Sequence, residues 1–131
     1  MINSTKAVGI KVYPGGTSHG ISIVSNITFE DVTVVNSDYA AQIQSCYGEN
    51  ATYCASYPSK ANITDVVFRD FKGVTSLKYT PVVANLNCPK DGSCEVRFEG
   101  WGVEAGKGTA EVLCANVGGS PGIDCTEGAS G

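Results

Sequence analysis

Three stretches of this chain superpose on one another, and that repeat limits its folds more than any other feature. Written one under the next, "VSNITFEDVTV" (24–34), "ITDVVFRDFKG" (63–73) and "CEVRFEGWGV" (94–103) align on Phe29, Phe68 and Phe98. Ile27, Val66 and Val96 form the column before, and Val32, Phe71 and Trp101 a column after. Each phenylalanine is followed fourteen residues later by another apolar residue, Ile43, Val82 and Val112, which reads as a second repeated strand. A unit of about thirty residues, made of short strands and Gly, Asn and Asp corners, suits a coil of a β-solenoid. There, each rung buries its inward residues only by stacking on its neighbours. The phenylalanine spacings are 39 and 30, so one rung carries an insertion. "CYGENATYCASYPSKA" supplies it as an outward loop over 46–60, and "VGIKVY" (8–13) reads as the remnant of a preceding rung.

The bland alternative is an immunoglobulin-like or jelly-roll sandwich, which also has short strands and frequent turns. A helical protein is close to excluded, because no window shows i, i+3, i+4 apolar spacing and 16 glycines interrupt the chain. At 131 residues the chain fits one domain, and 42% hydrophobic with 17% charged residues is the composition of a folded one. A net charge of −4 with nine basic residues and no basic run argues against a nucleic-acid partner. No apolar stretch reaches membrane-spanning length, so no membrane partner is expected.

The six cysteines allow fifteen disulfide pairings. Sequence neighbours are favoured, because "CYGENATYC", "CPKDGSC" and "CANVGGSPGIDC" each bracket turn-forming residues. That pairs Cys46 with Cys54, Cys88 with Cys94 and Cys114 with Cys125. Zinc is the competing reading, but there is no Cys-x-x-Cys and the single histidine, His19, is remote, so neither metal nor cofactor is expected. Four glycosylation sequons, at Asn3, Asn26, Asn50 and Asn62, join the cysteines in pointing to a secreted, extracellular protein. The start "MINSTKAVGIK" lacks an apolar signal core, which implies a removed leader or a piece of a longer precursor. The glycine-rich segment 114–131 reads as a terminal cap.

The residues also carry a family likeness. "GIKV", "HG", "VSNITFEDVTVVNSDYAAQIQSCYG" and "NITDVVFRDFKG", in that order, resemble the C-terminal part of the fungal polygalacturonase and rhamnogalacturonase enzymes, glycoside hydrolase family 28, nearest the branch of endo-xylogalacturonan hydrolases. The resemblance covers nearly the whole chain. It implies an all-β, right-handed parallel β-helix of about three C-terminal rungs, secreted, and inverting hydrolysis of the galacturonan backbone of pectin.

The family's motifs run Asn-x-Asp, Asp-Asp, Gly-His-Gly, then Arg-Ile-Lys. "SHG" looks like the third, but no Asp-Asp precedes His19 and no Arg-Ile-Lys follows it. "GIK" at 9–11 has instead the family's spacing from Arg-Ile-Lys to the next strand. The resemblance therefore places the chain's start just before the fourth motif and gives His19 a turn or surface role. Inverting hydrolysis needs a carboxylic acid and a carboxylate about 6.5–9.5 Å apart, and Asp31, Asp38, Asp65, Asp70, Asp91 and Asp124 are never adjacent. They read as corner residues, and no catalytic residue is assigned. What the resemblance carries over is substrate binding. Lys11 matches the motif lysine that reaches the uronate carboxylate, and Tyr47 matches a tyrosine lining the cleft. An exposed lysine and an ordinary loop tyrosine are the plain alternatives. The motif's arginine is Gly9 here, which halves the usual pair of cations.

Two function classes follow. One is the C-terminal portion of a pectin-backbone hydrolase, inactive alone and contacting galacturonan or xylogalacturonan. The other is a secreted solenoid that binds acidic polysaccharide or a protein without hydrolysis. In either, the N-terminal rung near 8–13 exposes unpaired backbone and invites self-association, unless residues 1–7 cap it.

Overall fold

A computed structural model describes residues 3–17 and 19–131, and nearly all of their regular structure is parallel strand. Strands β2 (Ile23–Val35), β4 (Asn62–Val74) and β6 (Ser93–Glu104) form one sheet in the order β2-β4-β6. Strands β1 (Lys6–Lys11), β3 (Tyr39–Gln44), β5 (Val82–Asn87), β7 (Glu111–Ala115) and β8 (Thr126–Glu127) form the other, in the order β1-β3-β5-β7-β8. Because the chain alternates between the two sheets while each sheet stays parallel, it winds as a parallel β-helix. Segment 8–13 enters this helix through β1, which pairs in parallel with β3.

The phenylalanine columns are real neighbours. Phe29 pairs with Phe68 and Phe68 with Phe98, and the same register joins Ile27, Val66 and Val96, and Val32, Phe71 and Trp101. The rings stack at 5.4 Å between Phe29 and Phe68 and at 4.8 Å between Phe68 and Phe98. Inward residues along β4 are Ile63, Val66, Phe68 and Phe71, so the strict two-residue alternation slips twice. Each slip coincides with an aspartate of left-handed backbone, Asp65 at φ 51° and Asp70 at φ 57°. Such a residue inserts one position and turns the ribbon while the apolar side chains stay inside. Asn26 and Asp31 do the same in β2, and Gly100 at φ 58° repeats the second bend in β6.

The second sheet corrects one expectation. Ile43 pairs with Leu86, and Leu86 with Cys114; Val112 pairs with Ala84 and Val82 with Glu111. Ile43, Val82 and Val112 are therefore not one column. The corner between β2 and β3 holds only residues 36–38, whereas the next two hold 75–81 and 105–110, and the longer corners shift the register. The insertion sits where the unequal spacing put it, between β3 and β4. It holds a short helix α1 (Ala51–Ser56), capped by the Asn50 side chain, which accepts a hydrogen bond from the Tyr53 amide at 2.8 Å. Disulfides join Cys46 to Cys54, Cys88 to Cys94 and Cys114 to Cys125.

The far end of the stack is covered by the chain itself. Gly118 donates to the Cys94 carbonyl, and the Phe98 amide donates to Pro121, so segment 118–121 lies along β6. From β8 the tail crosses back over the second sheet. Asn85 and Ser130 exchange hydrogen bonds of 3.1 and 3.3 Å, and the Cys46 amide reaches the Gly131 carbonyl at 3.1 Å.

Candidate functional site

The outward face of the β1-β3-β5 sheet is where side chains with binding chemistry gather. Strand alternation turns Ile10, Ile43 and Leu86 into the core and leaves Gly9, Gln42 and Asn85 in register on the other face, with Lys11 beside Gln44. Just past the strands, the Val12 amide donates to the Gln44 carbonyl at 2.8 Å, and the Tyr47 amide donates to Val12 at 3.3 Å. These bonds carry the ladder onward by three residues. They bring Lys11 and Tyr47, thirty-six positions apart, into contact: the Lys11 ammonium lies 4.9 Å from the centre of the Tyr47 ring. Lys11 is exposed and Tyr47 is 40% exposed, so cation and ring are both open to a ligand.

Tyr13, 46% exposed, extends the aromatic wall, its ring 5.7 Å from that of Tyr47. The segment bearing it is tied to the inserted loop. Ser59 donates to the Tyr13 carbonyl at 2.8 Å, Tyr53 Oη donates to Gly15 at 3.0 Å, and the Gly15 amide donates to Tyr57 at 2.9 Å. His19 stacks face to face on Tyr13, the ring centres 4.9 Å apart, and meets the edge of Tyr53 at 6.0 Å. It is half-buried, and its Nε2 has no hydrogen-bond partner among the described residues. The histidine thus lies at a bend and packs against the aromatic wall beside the site.

A second cation borders the same face. The Lys6 ammonium donates to Gln42 Oε1 at 3.1 Å and to Gln44 Oε1 at 2.8 Å. Partial burial, and after it the neighbouring Lys11 charge, lower the Lys6 pKa from its ordinary value. Lys6, Tyr13, Gln42 and Gln44 were not singled out from the sequence. Outward residues of a solenoid strand obey no apolar period, and only the register of β1 on β3 brings them together.

The acids are placed differently. Asp31, Asp65 and Asp70 occupy the left-handed bends of β2 and β4 and are exposed. Asp38 accepts a 2.7 Å hydrogen bond from Ser76 and lies 3.8 Å from the Lys78 ammonium. No cluster of three or more His, Cys, Asp or Glu side chains suited to a metal ion occurs among the described residues. The four sequon asparagines are all exposed. Asn50 caps α1, the Asn3 side chain accepts from Asn36 at 2.9 Å, and that of Asn62 accepts from Ser93 at 3.0 Å.

Comparison with known proteins places the chain in a family. The family model described as "Glycosyl hydrolases family 28" matches residues 1–125. The chain belongs to glycosyl hydrolases family 28. It is 59% identical over all 131 residues to "Endo-xylogalacturonan hydrolase A" of Aspergillus tubingensis and 58% identical to "Probable endo-xylogalacturonan hydrolase A" of Aspergillus niger. In both cases this family 28 chain spans 32% of the relative's length. The crystal structure of endo-xylogalacturonan hydrolase from Aspergillus tubingensis superposes with a TM-score of 0.98, covering 100% of this chain and 35% of that one.

Proposed function

We propose that this family 28 chain forms the carboxylate-binding, C-terminal rungs of a pectin-backbone hydrolase, with galacturonan or xylogalacturonan as the polymer bound. The observation that carries the reading is the meeting of Lys11 and Tyr47 on the outward face of the β1-β3-β5 sheet. A point-charge ammonium suits a uronate carboxylate, and the open faces of Tyr47 and Tyr13 suit the flat, C–H-bearing side of a pyranose. The activity for which the two relatives are named supports xylogalacturonan as substrate class.

The acids that perform inverting hydrolysis belong, in this reading, to rungs outside the chain, since the aspartates within it serve bends and corners. The chain by itself then binds the polymer without cutting it. The three disulfides and four exposed sequons support secretion through an oxidising compartment, with glycan on Asn3, Asn26, Asn50 and Asn62. Segment 114–131 acts as the terminal cap and the clipped 46–60 insertion as the wall of the cleft.

The test is a paired assay on the purified chain. It should release no reducing ends from polygalacturonan or xylogalacturonan, yet be retarded in gels containing either polymer. Lys11→Met should weaken that retardation by about fivefold, the scale of one partly solvated charge contact, and Tyr47→Ala should weaken it comparably. Turnover that disappears when one of the corner aspartates is replaced would overturn the assignment of the acids. Absence of retardation in the parent chain would overturn the binding role.

A further inference from the structure

Lys6 stands where its own position in the sequence does not require it. Its ammonium reaches over two residues of the neighbouring strand, and its stem lies across Gly9: a Cβ on Gly9 would collide with Lys6 Cδ, and would lie 3.1 Å from the Gln42 carbonyl oxygen and 3.2 Å from Lys6 Cε. Gly9 therefore leaves open the space that the lysine fills. Both hydrogen-bond acceptors of the ammonium are neutral amide oxygens, Gln42 Oε1 and Gln44 Oε1. Among the described residues neither Lys6 nor Lys11 forms an ion pair, although the chain carries thirteen acids and a net charge of −4. Partial burial first, and the Lys11 charge after it, disfavour the charged form of Lys6, and two ammoniums on one strand without a carboxylate partner repel each other.

From this we propose that Lys6 is a specificity-determining residue of the carboxylate subsite, the second cation beside Lys11, and that the bare backbone of Gly9 is what allows it to reach there. The proposal rests on the uronate-binding reading given above and names how that subsite tells acidic from neutral sugars. The two glutamines complete it. With each Oε1 occupied by Lys6, each Nε2 keeps two N–H donors that can serve a carboxylate or a ring hydroxyl. The ligand class is a uronate in its ionised, unesterified form. A methyl-esterified residue presents the same ring without the charge, and gains nothing from either ammonium.

The experiment compares binding of oligogalacturonate with that of its fully methyl-esterified counterpart by calorimetric titration. Five proteins are used: the parent chain, Lys6→Met, Lys11→Met, Gly9→Ala and the Lys6→Met/Gly9→Ala double variant. Lys6→Met is expected to lower affinity for the acidic oligomer by about fivefold to tenfold and to leave the esterified one unchanged. Gly9→Ala, whose new methyl displaces the Lys6 stem, is expected to lower acidic affinity in the same direction. In the double variant the acid-specific loss should be no larger than in Lys6→Met alone, since that interaction is removed once, while the pressure of the Gly9→Ala methyl on the Gln42 carbonyl affects both oligomers alike. Equal loss toward both oligomers would mean that Lys6 only holds β1 against β3, and would overturn the proposal. So would a Lys6→Met chain that binds the acid as the parent does while Lys11→Met does not. That last result would leave the uronate-binding reading standing, whereas a parent chain binding neither oligomer would overturn both.

Discussion

At the scale of single residues, the aspartates show how a carboxylate can be structural in a hydrolase family. Asp31, Asp70 and Gly100 share one register position and one backbone conformation, with φ of 56°, 57° and 58°. What they have in common is a tolerance of left-handed backbone, which glycine has freely and Asp or Asn more readily than other residues. This role was legible in the sequence from residue type alone: Asp and Asn recur beside the apolar columns and never pair. Replacing Asp70 by glycine should therefore leave stability nearly unchanged, and Asp70→Val should cost about 1–2 kcal/mol, the penalty for a side chain branched at Cβ in that conformation. Urea denaturation of the two variants checks this, and equal large losses in both would mean that the carboxylate itself holds the bend. Lys6 is the opposite case. Nothing in "STKAVGIK" says that its side chain folds back over Gly9, because the reason lies in the space left by a missing Cβ and in amides thirty-six and thirty-eight residues away.

At the scale of elements, the stacked columns were legible because each rung repeats the same inward residues at the same distance from its bend. Register in a parallel stack follows when one face must stay buried. The second sheet was only half legible. Its strands are short, and the corners leading to them differ in length by up to four residues, so counting forward from the phenylalanines found the strands but misaligned two of the three. Helix α1 was missed as well. It is six residues long with none buried, too short for an apolar period, and its one signal is Asn50 as a cap. The phenylalanine column makes a graded prediction, because its members have the same chemistry and different cover. Phe68 is 0% exposed, with a ring stacked on each side, whereas Phe29 is half-buried and has a ring on one side only. Phe68→Ala should cost about 3–5 kcal/mol through lost burial and the cavity left behind. Phe29→Ala should cost clearly less, since water already reaches that ring. Equilibrium unfolding of the pair measures the difference, and equal costs would mean that Phe29 is covered in solution.

At the scale of the whole molecule, the two ends of the stack are unlike. At the β6 end, segment 118–121 lies on the last strand of the first sheet and β8 lies on β7, so the backbone there is met by more chain. At the other end the cover is partial. Asn3, Ser4 and Thr5 bond to the stretch 35–39 and β1 bonds to β3, but among the described residues no strand lies on the free side of β2. Of the expected cap over residues 1–7, residues 1 and 2 lie outside the described residues. Along the thirteen-residue β2, every other residue thus turns its backbone donor and acceptor to the free side, the Val35 carbonyl taken by Asn3 excepted, beside Ile23, 76% exposed, and the half-covered Ile27, Phe29 and Val32. An open, apolar strand edge of this length is a template for a second chain. The net charge of −4 spread over 131 residues is too weak to oppose it at physiological salt, where surface charges more than about 8 Å apart are screened. We therefore expect the isolated chain to self-associate through β2, giving a light-scattering mass that rises with concentration above 13.6 kDa. Ile23→Lys combined with Ile27→Lys should return it to the monomer mass, because the ammoniums at the free edge repel those of a second chain while the stem at 27 still covers the core below. A parent chain that stays at 13.6 kDa as concentration rises would show that β2 is already shielded, and the half-buried Phe29 would then need another partner from within the chain.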